Sequence, residues 1–95
     1  MIKSFADKRT AALFAGQRVK GVPRDFQRWA RIKLLMLDAA KRLDDLRVPP
    51  GNRLEAMKGD RAGNQSIRIN DRRRICFEWR AEESWIVEVV DYHRG

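Results

Sequence analysis

Three features of the sequence predict an α+β fold, in which a short N-terminal strand and two helices pack on one face of a small antiparallel sheet. Apolar residues recur every three or four positions from Phe26 to Leu46, but every second position after Ser66. Pro49-Pro50-Gly51 stands where the period changes. At 95 residues the chain can bury one core but not two, so residues 1–95 are read as a single domain.

Each element has a local reason. Ile2-Lys3-Ser4-Phe5 alternates apolar with polar and reads as a short strand. Asp7 is suited to cap a helix carrying Leu13 and Phe14, and Gly16 to end it. Pro23 fits the first turn of a long helix. Its apolar stripe Phe26, Trp29, Ile32, Met36, Ala39, Leu43 and Leu46 runs over more than twenty residues, with Arg24, Arg28, Arg31, Lys33, Lys41 and Arg42 on the other faces. Val48-Pro49-Pro50-Gly51-Asn52 stops it.

Ser66 to Asn70 then reads as a strand, Asn70-Asp71 as a turn, and Arg74 to Trp79 as a second strand. After a turn at Glu82-Glu83-Ser84, Trp85 to Tyr92 is a third strand, apolar enough on both faces to be expected in the middle of the sheet. Alternation puts Ile75, Phe77 and Trp79 under the helices and Arg74, Cys76, Glu78 and Arg68 on the open face. Trp29, Trp79 and Trp85 all lie on apolar stripes and are expected in the core.

Composition narrows the function. With 43% hydrophobic and 36% charged residues the chain should fold. Lys and Arg number 21 against 13 acidic residues, a net charge of +8 that attracts polyanions, nucleic acid first. Residues 1–52 hold 12 basic and 5 acidic side chains, and the remainder 9 and 8, so the excess is concentrated in the first half. The sequence contains no membrane-length apolar run and no secretory signal, so a soluble, cytoplasmic protein is expected. One cysteine and one histidine exclude an internal disulfide and a multi-cysteine zinc site, and no cofactor is expected.

Two clusters carry candidate chemistry. Asp91-Tyr92-His93 sits at the end of the third strand: an acid that can act as a base or orient an imidazole, a ring that can stack on a base, and a group that titrates near neutrality. The same tripeptide could equally be a solvated tail. The loop Arg53 to Arg61 presents Lys58 and Arg61 beside turn-forming Gly59 and Gly63. Such cations stabilise the charge that grows on a phosphate in a transition state, although basic loops often only solvate a surface. Arg74 has the planar donor fork for phosphate, whereas alternation places Arg73 on the Ile75 side and Arg72 in the turn. Cys76 reads as a small apolar filler rather than a nucleophile.

The run Pro49-Pro50-Gly51-Asn52-Arg53-Leu54-Glu55-Ala56-Met57-Lys58-Gly59-Asp60-Arg61, followed by Ser66-Ile67-Arg68-Ile69-Asn70-Asp71, Arg74-Ile75-Cys76-Phe77 and Asp91-Tyr92-His93, resembles the HigB toxins of the RelE-like superfamily, also called plasmid-maintenance killer proteins. Met1-Ile2-Lys3-Ser4-Phe5 matches their start, so the likeness spans nearly the whole chain. The resemblance implies a fold similar to small microbial ribonucleases and a metal-independent, ribosome-dependent endoribonuclease that cuts mRNA in the A site of the small subunit. It also implies a HigA-type helix-turn-helix antitoxin. It assigns catalytic positions to Asp91, Tyr92, His93, Lys58 and Arg74, and the nearby cations Arg53, Arg61, Arg68 and Arg73 are expected to bind RNA. Some members carry a loop histidine where this chain has Glu55, which leaves Glu55, Asp91 and His93 as alternative general bases. Many have an aromatic residue where this chain has Gln65. The positive first half, with exposed cations such as Arg28 and Lys41, is expected to dock on ribosomal RNA. A non-catalytic RNA- or ribosome-binding module is the competing reading.

Overall fold

The computed structural model describes residues 1–91, and Tyr92, His93, Arg94 and Gly95 lie outside it. Helix α1, Lys8–Ala15, begins where the Asp7 carboxylate accepts the Thr10 N–H at 2.6 Å and ends at Gly16, whose φ of 76° is left-handed. Helix α2 spans Arg24–Ala39, with the Pro23 carbonyl accepting its first backbone hydrogen bond, from Gln27, at 2.9 Å.

The helix is shorter than its leucine spacing predicts. Asp45 Oδ2 accepts the backbone N–H groups of Lys41 and Arg42 at 3.0 and 3.1 Å, so the chain becomes extended at Ala40 and resumes as a separate 3₁₀ turn, Leu43–Arg47. Leu46 still reaches the core from that turn. The stripe is also rotated from the expected one. Phe26, Ala30, Lys33, Leu34 and Leu37 are buried, whereas Trp29 is 55% exposed and is not a core residue. Small Ala30 lets α2 approach the sheet on that side, which turns bulky Trp29 out to the flank.

Four antiparallel strands follow in the order β1 (Glu55–Ala56), β2 (Gln65–Arg68), β3 (Arg73–Arg80) and β4 (Glu83–Asp91). The β2–β3 turn is closed by Asn70, whose Oδ1 accepts the N–H groups of Arg72 and Arg73 at 2.9 Å each. The β3–β4 turn falls on Ala81 and Glu82, both at positive φ, and Glu83 and Ser84 already belong to β4. The predicted N-terminal strand is reduced to two parallel bridges, Ile2 to Ser84 and Phe5 to Val87, along the outer side of β4. Thus β4 ends the four-stranded order yet lies between β3 and the N-terminal segment.

A bulge interrupts the β3–β4 ladder. Cys76 pairs with Glu88 and Glu78 with Trp85, so Ile86 and Val87 share the space opposite Phe77. Ile86 takes φ 53° and is exposed, while Val87 is fully buried. Leu13, Leu34, Leu37, Ile67, Ile75, Phe77 and Val87 form the core between the helices and one sheet face. No described helix is long and apolar enough to cross a membrane.

Candidate active site

The open sheet face is organised by register. Glu55 pairs with Ser66, Ser66 with Cys76, and Cys76 with Glu88, giving one row across all four strands. Arg74, paired with Arg68 on one side and Val90 on the other, stands in the next row.

Arg74 is only 7% exposed. Its Nε donates to the Ser66 hydroxyl at 2.8 Å, and Nη2 donates to the Arg53 carbonyl at 2.6 Å and to the Ser66 carbonyl at 3.4 Å. Nη1 makes no hydrogen bond within the described residues. The Glu55 carboxylate is 3.9 Å from Nη2 and more than half exposed. The guanidinium is therefore fixed on its inner side, next to an accessible acid.

The Arg53 carbonyl is aimed by the turn before it. Arg53 sits at φ 44°, closing the 3₁₀ turn Pro50–Asn52. That turn is anchored by fully buried Asn52, whose Nδ2 donates to the Leu46 and Val48 carbonyls at 3.2 and 3.4 Å. Asn52 Oδ1 accepts from the Lys33 ammonium at 2.6 Å. Burial, and then the charge of Arg68, holds Lys33 below its ordinary pKa.

Lys58 follows β1 by two residues and is exposed, with no ion pair among the described residues. Gly59 after it takes φ 66°, which a side chain resists even though nothing lies within 4 Å. Arg61 donates through Nη1 and Nη2 to Glu88 Oε1, both at 3.3 Å, closing the far end of the row. Beneath it Cys76 is buried and its thiol is pushed up, mainly by burial, which fits a filler better than a thiolate nucleophile. Arg68 bonds the Asn70 carbonyl and pairs with Asp71 at the hairpin end.

The structure does not bring Asp91 to this face. Register sets it opposite Arg73, whose Nε donates to Asp91 Oδ1 at 2.7 Å and whose guanidinium lies 4.6 Å from the centroid of the Phe26 ring on the helix side. Tyr92 and His93 are outside the described residues. Ser66, Asn52, Lys33 and Glu88 were not singled out from the sequence. Only Glu88 gave a signal there, as a charge inside an apolar strand that needs a partner.

Glu55, Ser66 and the Arg53 carbonyl thus meet at Arg74, while Lys58 and Arg61 stand on the segment between β1 and β2. A family model described as the RelE-like toxin of the type II toxin-antitoxin system HigB matches residues 3–93. The chain is 38% identical over 80 residues to Toxin HigB-1 of Vibrio cholerae serotype O1, covering 83% of this chain and 84% of that one. It is 32% identical over 93 residues to Endoribonuclease HigB of Proteus vulgaris, covering 98% and 100%. The two-helix, four-strand architecture and these matches over nearly the whole chain agree, and the chain belongs to the HigB family of RelE-like toxins of type II toxin-antitoxin systems.

Proposed function

We propose that the protein is an endoribonuclease that cuts mRNA in the A site of the small ribosomal subunit and is neutralised by a HigA-type helix-turn-helix antitoxin. The observation that carries the reading is the fixed guanidinium of Arg74, held by Ser66 and the Arg53 carbonyl beside the exposed Glu55 carboxylate. The printed name of the Proteus vulgaris relative supports the reaction class.

In the proposed reaction the ribose 2′-oxygen attacks the adjacent phosphorus and the bond from phosphorus to the 5′-oxygen breaks. A 2′,3′-cyclic phosphate and a 5′-OH end result, and no metal is required. Glu55 takes the 2′-OH proton, being the acid that the fold sets beside Arg74, whereas Asp91 is engaged by Arg73. The Nη1 side of Arg74 and the mobile-length side chain of Lys58 stabilise the charge on the phosphorane. At the two positions that the family resemblance marks, His93 protonates the leaving oxygen and Tyr92 stacks on or hydrogen-bonds the substrate. Acid–base groups contribute about 10² to 10⁴ in rate, so the ribosome's alignment of the 2′-OH supplies much of the remainder, and free RNA is cut poorly.

The test is expression of the wild type and of Glu55→Gln, Lys58→Ala and His93→Gln variants, followed by mapping of 5′ ends in translated messages. New 5′-OH ends at codons, lost in Glu55→Gln, are expected. Growth arrest with intact messages would show a non-catalytic binder instead.

A further inference from the structure

Lys33 is expected on an outer face of α2, yet the fold turns it inward, 9% exposed beside Phe26, Ala30, Leu34 and Leu37 on the buried stripe. Its ammonium meets a single acceptor among the described residues, Asn52 Oδ1 at 2.6 Å, and forms no ion pair with them. Asn52 is itself fully buried. Stability does not explain this pair. An ammonium facing one neutral oxygen costs more to bury than an apolar side chain of similar volume, and the positive charge of Arg68 adds to the cost. Apolar groups in both places would extend the core.

What the pair does is remove a choice. The short, charge-assisted bond to Oδ1 fixes which way the Asn52 carboxamide faces, and that commits Nδ2 to the Leu46 and Val48 carbonyls at 3.2 and 3.4 Å. The 3₁₀ turn Pro50–Asn52 is thereby tied to α2 through Lys33 and to the turn Leu43–Arg47 through Leu46. The next residue, Arg53, is held at φ 44° and ψ 61°, a left-handed conformation that a side chain resists and that persists only where neighbours impose it. Its carbonyl then accepts from Arg74 Nη2 at 2.6 Å, complementing the bond from Nε to the Ser66 hydroxyl. With Arg53 relaxed to negative φ, that carbonyl would swing away and leave Arg74 held through Ser66 alone.

We propose that Lys33 and Asn52 are positioning residues of the cutting site: from the helix layer they hold Arg53 in its left-handed conformation, so that its carbonyl fixes the direction in which Arg74 presents Nη1. Both act through Arg53, and neither touches the substrate. The kinetic consequence rests on the proposed endoribonuclease reading, whereas the placement of Arg74 does not.

The test reads Arg74 directly. In the isotope-labelled full-length protein without RNA, the Arg74 Nε–H resonance is identified by its disappearance in Arg74→Lys, and its exchange with water is timed. Lys33→Met should speed that exchange about five- to tenfold, the equivalent of one hydrogen bond, while the cooperative thermal melt persists. Asn52→Ala should do the same, and the double variant should be no faster than Asn52→Ala alone, since both act through one turn. If Asn52→Ala does not fold, Lys33→Met decides alone. Val22→Ala, which opens the core at another buried position, should leave the Arg74 resonance as in wild type. On ribosomes translating a message, Lys33→Met should lower kcat roughly 10- to 100-fold at nearly unchanged KM, because a displaced guanidinium weakens the transition state rather than docking. A wild-type Arg74 exchange rate in folded Lys33→Met overturns the proposal, and so does equal acceleration in Val22→Ala, which would mean general loosening. If the wild type cuts nothing while Lys33→Met still speeds the exchange, the endoribonuclease reading fails and the positioning of Arg74 stands.

Discussion

At the scale of single residues, the side chains that matter most are polar groups held by other buried polar groups. Removing the Ser66 hydroxyl leaves Arg74 Nε without its partner while keeping every charge. Ser66→Ala should cost about 1 to 3 kcal/mol in urea denaturation and, under the proposed mechanism, reduce mRNA cutting more than a loss of stability of that size explains. Lys33 gives a pH signature. Its folded pKa is below the unfolded 10.5, so in the interval beneath 10.5 the unfolded chain binds more protons and stability rises with pH. Cys76 acts in the opposite sense above 9.0, where its raised pKa keeps the folded chain protonated longer. Urea midpoints measured across the alkaline range should lose the rising component in Lys33→Met and the falling one in Cys76→Ala. The sides taken by Arg73 and Arg74 were legible because a strand alternates with period two. Ser66 and Asn52 were not, because their importance comes from register and from a turn that meets α2 from 19 residues away.

Elements were legible where a cap or turn residue announced them and obscure where a side chain diverted the backbone. Asp7 and Gly16 bound α1 as expected, but the end of α2 depends on Asp45 capturing two N–H groups, which hydrophobic spacing cannot reveal. Those bonds, from Arg42 and then Lys41, hold the Asp45 carboxyl below its ordinary 3.8. The stabilisation is present above pH 3.8 and fades as the pH falls through the lowered value, so Asp45→Ala should flatten the acid side of the stability profile. The bulge explains the position of Asp91. One extra residue at Ile86 inverts the parity of everything after it, moving Asp91 from the face of Trp85 to that of Arg73. Ile86 bears positive φ with a branched side chain in solvent. Ile86→Asn should relieve about 1 kcal/mol and raise the melting midpoint.

For the whole molecule, the α+β layering was legible because the period of the apolar pattern changes once, and the sheet order was not, because two-residue β1 has too little sequence to show periodicity. The uneven charge places cations on both sides of the sheet, along α1 and α2 and around Arg74. The N-terminal segment completes the assembly: the Lys3 and Ala6 N–H groups donate to the Ser84 and Val87 carbonyls at 2.8 and 2.9 Å. A chain lacking residues 1–5 should expose the outer side of β4, associate with itself in size-exclusion chromatography and lose its sharp unfolding transition. The same pairing carries a consequence for synthesis. The segment from Ile2 to Phe5 can settle only against β4, made 82 residues later, and the core stays open until Val87 leaves the ribosome. A toxin whose synthesis halts before β4 therefore has no closed core to hold Glu55, Ser66 and Arg74 in register, and is expected to be inert.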